Sequence, residues 1–195
     1  LLDLEKRYNI DIDRNFISKI NDADIRVTNY NKMSAFFSEK WNQVNLPDNC
    51  KTKSQWFNKA LAYHEIGHAI DHHNNMAKNP LTAELMEKYR EKFSGEKDKI
   101  YKKYNNNVKV ISKHANAKKD YDLFYENASA ADVLMSLNSK YGSGHSKDYF
   151  SRDLNPEKEF LAHCFEAKYC GNRVIEAIDK DLYNDMIKLI DKILL

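Results

Sequence analysis

From Gln55 to His73 the chain runs with one glycine and no proline, and the small and apolar residues of ALAYHEIGHAI fill its middle. Nothing there stops a helix, so the stretch reads as one helix of about five turns, with Phe57, Ala60, Leu61 and His64 on one face. At its centre stands His64-Glu65-Ile66-Gly67-His68. Residues four apart share a helix face one turn apart, so His64 and His68 present their imidazoles together while Glu65 is carried alongside. Two histidines and a glutamate in an apolar context cost several kcal/mol if left without partners. A metal ion meets that need. At this chain's own His and Glu usage the pattern arises by chance in about one or two of a hundred such sequences.

The chemistry each residue type brings is definite. Two neutral imidazoles bind Zn²⁺ at about 2.0–2.1 Å and leave room for a third protein ligand and a water. The metal lowers the pKa of that water towards about 7, and a carboxylate beside it, Glu65, can take the proton as general base.

Where the third ligand comes from is a question of spacing. The metzincin pattern HExxHxxGxxH needs a glycine and a histidine where Asp71 and Asn74 stand, so that class is excluded. His72 continues the i, i+4 stripe, but three successive turns of one helix do not converge on one tetrahedral ion. Asp71, one turn after His68, is expected to be an acceptor that fixes a histidine tautomer, and His73 to be solvated. A better ligand is Glu159 in Glu159-Phe160-Leu161-Ala162-His163-Cys164-Phe165-Glu166, where a carboxylate sits in a run apolar enough to be buried. His163 then lies near the same site, as a further orienting group. Glu166, two turns on, is the rival ligand.

The rest of the chain frames this helix. RVTNY, SAFFS and NQVNL between Ile25 and Leu46 are rich in β-branched and aromatic residues and read as strands, with SEKW as a hairpin turn, making a small antiparallel sheet. Residues 1–25 read as a helix or two with Leu4, Tyr8, Ile10, Phe16 and Ile20 buried. Helix is expected from Pro80 to Lys103 with a break at Asn105-Asn106-Asn107, from Ala128 to Leu137, from Pro156 to Lys168, and once or twice between Arg173 and Leu195. YGSGH, Tyr141 to His145, is an irregular loop. No linker rich in Gly, Pro or Ser divides the 195 residues. The expected fold class is therefore α+β, a single mostly helical domain over 1–195 with a small sheet before the histidine-bearing helix.

Composition narrows the partners. A net charge of +2 with basic and acidic residues interleaved gives no basic stripe, so no nucleic acid partner is expected. No apolar run approaches the roughly 18 residues of a membrane span, so no membrane partner is expected either. Cys50, Cys164 and Cys170 are odd in number and lack a CxxC pair, which points to neither a disulfide framework nor a thiolate metal site, and mildly to a reducing compartment. The chain opens on Leu1 rather than Met, as a fragment of a longer protein would.

HEIGHAID, then ADVLMSLNSKYGSGHSKDYF, then EFLAHCFEA, in that order, resemble the metallopeptidase-like domain of phage head-morphogenesis, or minor capsid, proteins. The likeness spans roughly residues 35–195. HExxH followed by a glutamate on a later helix is the gluzincin arrangement, and the chain also resembles, more distantly, the catalytic domain of anthrax lethal factor and related toxins. The resemblance implies a zincin-like core over 31–195, with 1–30 an unassigned lead-in. It implies His64, His68 and Glu159 as zinc ligands and Glu65 as the base. It further implies His145 of the G-H-S loop and Tyr149 as catalytic residues, either of which could donate to the oxyanion of a tetrahedral intermediate. Zn²⁺ is the implied cofactor, a protein or peptide the implied substrate, and phage head proteins the implied partners. The implied location is the cytoplasm of a host carrying a prophage, or the virion.

Three functions follow from these residues. A zinc endopeptidase uses Glu65. A structural or assembly module of a phage head would use the metal for its fold alone and would have no need of that carboxylate, since structural sites are closed by four protein ligands. A toxin-like protease would share the chemistry of the first and act on a host protein.

Overall fold

The computed structural model describes residues 5–6, 14, 18, 24–30, 35–47, 54–96, 98–106, 120–137, 145 and 147–194. The core positions expected between Leu4 and Ile20, Cys50, and the loop glycines Gly142 and Gly144 lie outside them.

Three strands open the described chain: β1 (Arg26–Tyr30), β2 (Phe36–Ser38) and β3 (Gln43–Pro47), with a 3-10 turn over Glu39–Trp41 joining the last two. Their order is β1-β3-β2. β2 and β3 form the expected hairpin, Phe37 opposite Val44, whereas β1 pairs with β3 in parallel, Val27 beside Val44. The sheet is thus mixed and not purely antiparallel. Strand content was legible in the residues, but pairing direction depends on the path between β1 and β2, which no local propensity encodes.

The helices follow. α1 (Gln55–Asn74) begins on Ser54, whose hydroxyl accepts the Phe57 N–H, and ends at Asn75, left-handed at φ 51°, a conformation asparagine tolerates at a helix C-terminus. The Ser54 hydroxyl in turn donates to Asp122, which also accepts the Trp56 N–H, so the start of α1 is tied to a distant helix. α2 (Pro80–Gly95) and α3 (98–106) divide the expected run from Pro80 onward at Gly95-Glu96. α4 (Tyr121–Leu137) begins seven residues before its expected start at Ala128. A four-residue helix, α5 (Lys147–Phe150), precedes α6 (Asn155–Cys170), and α7 (Arg173–Ile178) and α8 (Lys180–Ile193) close the chain. Among the described residues no helix is long and apolar enough to cross a membrane.

α6 is the centre of the packing, with α1, α4 and α8 against it. All nine residues from Glu159 to Ala167 are buried, so this helix is enclosed on every side. Gly67 sets how closely α1 approaches it. A Cβ at Gly67 would stand 2.7 Å from Phe165 Cδ2 and 3.3 Å from its Cβ, so the conflict reaches the root of a fully buried ring. Gly67→Ala gains about 1 kcal/mol of helix propensity but meets an overpacking cost of about 1–3 kcal/mol. The expected outcome is a net loss of stability in urea unfolding. A gain would mean that Phe165 yields its place freely.

Candidate metal centre

The close approach at Gly67 brings the histidine face of α1 over the buried Glu159 of α6. His64 Nε2 lies 3.1 Å from His68 Nε2 and 3.5 Å from Glu159 Oε2, and His68 Nε2 lies 3.4 Å from Glu159 Oε1. A tetrahedral ion with bonds of about 2.0–2.1 Å requires its ligands to stand roughly 3.3–3.4 Å apart. These three side chains meet that spacing. Glu159 is 2% exposed, yet its Oε2 has no hydrogen-bond partner, an expensive state for a buried carboxylate oxygen. The donor set and the orphaned oxygen both fit a divalent cation.

Electrostatics point the same way. Burial pulls the His64 imidazole down, but the Glu159 and Glu166 carboxylates outweigh it and hold its pKa well above the usual histidine range. Burial likewise pushes the Glu159 carboxyl up, and His64 and His68 more than reverse it. The surroundings therefore demand positive charge between these groups, which a proton or a metal ion would supply.

Beneath the three residues is a second tier. Glu166 Oε1 accepts from His64 Nδ1 at 2.7 Å and lies 3.0 Å from His163 Nδ1, while Oε2 accepts the Ser129 hydroxyl at 2.6 Å. With Nδ1–H donating to Glu166, His64 Nε2 carries its lone pair towards His68 and Glu159. His64, His163 and Glu166 also bring ligand atoms within 4.8 Å of one another. A 2.7 Å contact is a hydrogen bond rather than a ligand-to-ligand edge, so this group orients His64. Glu166, the rival ligand by sequence, lies on the Nδ1 side of His64. Glu166→Gln should weaken zinc binding by about 10–100-fold, the usual cost of removing an orienting acceptor; unchanged affinity in a metal titration would remove that role.

Glu65 is 7% exposed and lines a cleft of about 390 Å³ together with His64, His68, His145, Tyr149 and Glu159. The Tyr149 hydroxyl donates to Glu159 Oε1 at 2.5 Å, and its ring stacks on His145 with centroids 4.4 Å apart. Burial, then the neighbouring Glu159 charge, raises the Tyr149 pKa far above the phenol range, keeping the hydroxyl a donor. His145 Nδ1 is 3.9 Å from Glu159 Oε2 and 3.6 Å from Asp132 Oδ1, and the His145 backbone N–H donates to the same Asp132 oxygen at 2.8 Å. Asp132 thus anchors His145, and its carboxylate raises that imidazole's pKa. His64, Glu65, His68, His145, Tyr149, Glu159 and His163 are all brought together.

One expectation on the end of α1 is corrected. Asp71 accepts the Ala77 N–H at 2.5 Å, and this buried carboxylate secures the turn after α1 instead of a histidine tautomer. His73 is exposed, as expected, and its Nε2 pairs with Asn42 Oδ1 at 2.7 Å, which ties α1 to the hairpin. Asp132 and Ser129 were missed. Each is an ordinary polar residue of a helix by sequence; Ser129 gains its partner Glu166 where α4 meets α6, and Asp132 gains His145 from the loop that follows α4.

Comparisons with protein families, curated proteins and solved structures give no match to this chain.

Proposed function

We propose that the chain is a zinc-dependent metallopeptidase of gluzincin type. The observation that carries this is the triangle of His64 Nε2, His68 Nε2 and the orphaned Glu159 carboxylate, with Glu65 buried at the lip of the same cleft. Zinc in that triangle would supply a Lewis acid and an acidified water at neutral pH. Glu65 would hold the proton lost by the attacking water and return it to the leaving amine. Tyr149 and His145 would donate to the carbonyl oxygen as negative charge develops on it, and Asp132 and Glu166 would keep His145 and His64 in place. Intact Glu65 favours catalysis over a structural use of the metal, since three protein ligands leave one position open.

The phage head setting, the phage head proteins as partners and the location in a prophage host or virion rest on the three ordered sequence motifs. The test of the activity is direct. The zinc-loaded chain should cleave unfolded proteins, lose that activity on chelation and regain it on zinc addition, read by mass spectrometry of the products. Stoichiometric zinc with no cleavage, together with unfolding on chelation, would assign the metal to the fold.

A further inference from the structure

A second cavity, of about 240 Å³, meets the catalytic cleft at His64, Glu65 and His145, the three residues that line both. Its other walls are largely carbon: Trp56, Phe57 and Leu61 of α1, and Tyr125 and Ala128 of α4. Phe57 and Tyr125 stack with centroids 4.0 Å apart, so the wall is braced by its own packing. Outside it, Phe124 stands edge-on to Tyr125 at 5.3 Å and is 60% exposed, which carries the apolar surface outward from the cavity mouth. At the inner end Glu166 holds His64, His163 and Ser129, and Asp132 holds the His145 N–H, while His163 Nε2 is buried without a hydrogen-bond partner.

We propose, on the basis of the peptidase reading, that this cavity is the specificity pocket of the site. It takes a large apolar side chain, aromatic above all, from a residue flanking the scissile peptide bond, and the adjoining substrate chain lies along Tyr125 and Phe124. Size and place both support this. An engineered protein cavity of about 150 Å³ already admits benzene, so this one holds a phenyl or indole group with room for the methylene that carries it. Because Glu65 forms part of its rim, a side chain seated there places the neighbouring carbonyl beside the proposed base.

Peptide hydroxamates bearing glycyl, glutamyl or phenylalanyl side chains, titrated calorimetrically into the zinc-loaded full chain, provide the test without requiring turnover. The phenylalanyl compound should bind at least about tenfold more tightly than the glycyl one, the lower end of what apolar pockets discriminate. Ala128 lines the pocket and is exposed, so Ala128→Leu should narrow the pocket and erase that preference, with unfolding measured beside it to show that the fold is kept. Phe124→Ser, outside the pocket, should weaken only longer compounds that reach it. Equal affinities across the series, tighter glutamyl binding, or a ranking indifferent to Ala128→Leu would overturn the pocket. Zinc-dependent cleavage with no side-chain preference would overturn it while the peptidase reading stands. The expected ranking without cleavage of any protein would do the reverse.

Discussion

Replacing Glu65 with glutamine is expected to lower kcat by at least about 10²-fold while leaving zinc content and fold unchanged. The amide keeps nearly the shape of the carboxylate but cannot accept a proton from water, so only the general-base contribution, about 10²–10⁴-fold, is removed. Glu65 neither contributes to the triangle of His64, His68 and Glu159 nor belongs to the Glu166 network behind it. Metal affinity should therefore be insensitive to the change. Residual activity close to wild type, with contaminating protease excluded, would contradict Glu65 as base. A parallel loss of zinc would instead mean that Glu65 helps to hold the metal.

Glu159→Ala should weaken zinc binding by more than about 100-fold, beyond the ceiling expected for an orienting residue such as Glu166. The reasoning is that Glu159 brings the only carboxylate facing both His64 Nε2 and His68 Nε2, at 3.5 and 3.4 Å, among the described residues. Its removal leaves two imidazoles on one helix, an incomplete set for a catalytic zinc. It also removes the acceptor of the Tyr149 hydroxyl, so unfolding should be measured beside metal affinity to separate the two losses. Full zinc affinity in Glu159→Ala with loss in Glu166→Ala would move the site one tier inward, to His64, His163 and Glu166.

Much of this was legible because the signals are local. The spacing of His64 and His68, the carboxylate of Glu159 in an apolar run, and the strand-forming residues around Val44 each act over a few positions. The face of α1 carrying Phe57, Leu61 and His64 was read correctly as one face, yet it borders cavities, while Tyr63, Ile66 and Ile70 face the core. α1 is buried nearly all round, and a helix of that kind does not advertise which side meets solvent. What escaped the sequence depends on long-range convergence. β1 joins the sheet in parallel through Val27 and Val44, seventeen positions apart; Asp132 and His145 meet across a loop; Ser129 and Glu166 lie on different helices. Asp71 illustrates the opposite error. Its spacing from His68 suited a histidine partner, but the backbone turn at Ala77 offered a nearer donor.

The central claim is that one zinc ion sits between α1 and α6, and anomalous scattering at the zinc edge from crystals of the zinc-loaded chain tests it most directly. The account predicts one peak per chain, within bonding distance of His64 Nε2, His68 Nε2 and a Glu159 oxygen. A peak enclosed by His64, His163 and Glu166, or no peak from protein crystallised with stoichiometric zinc, would contradict it.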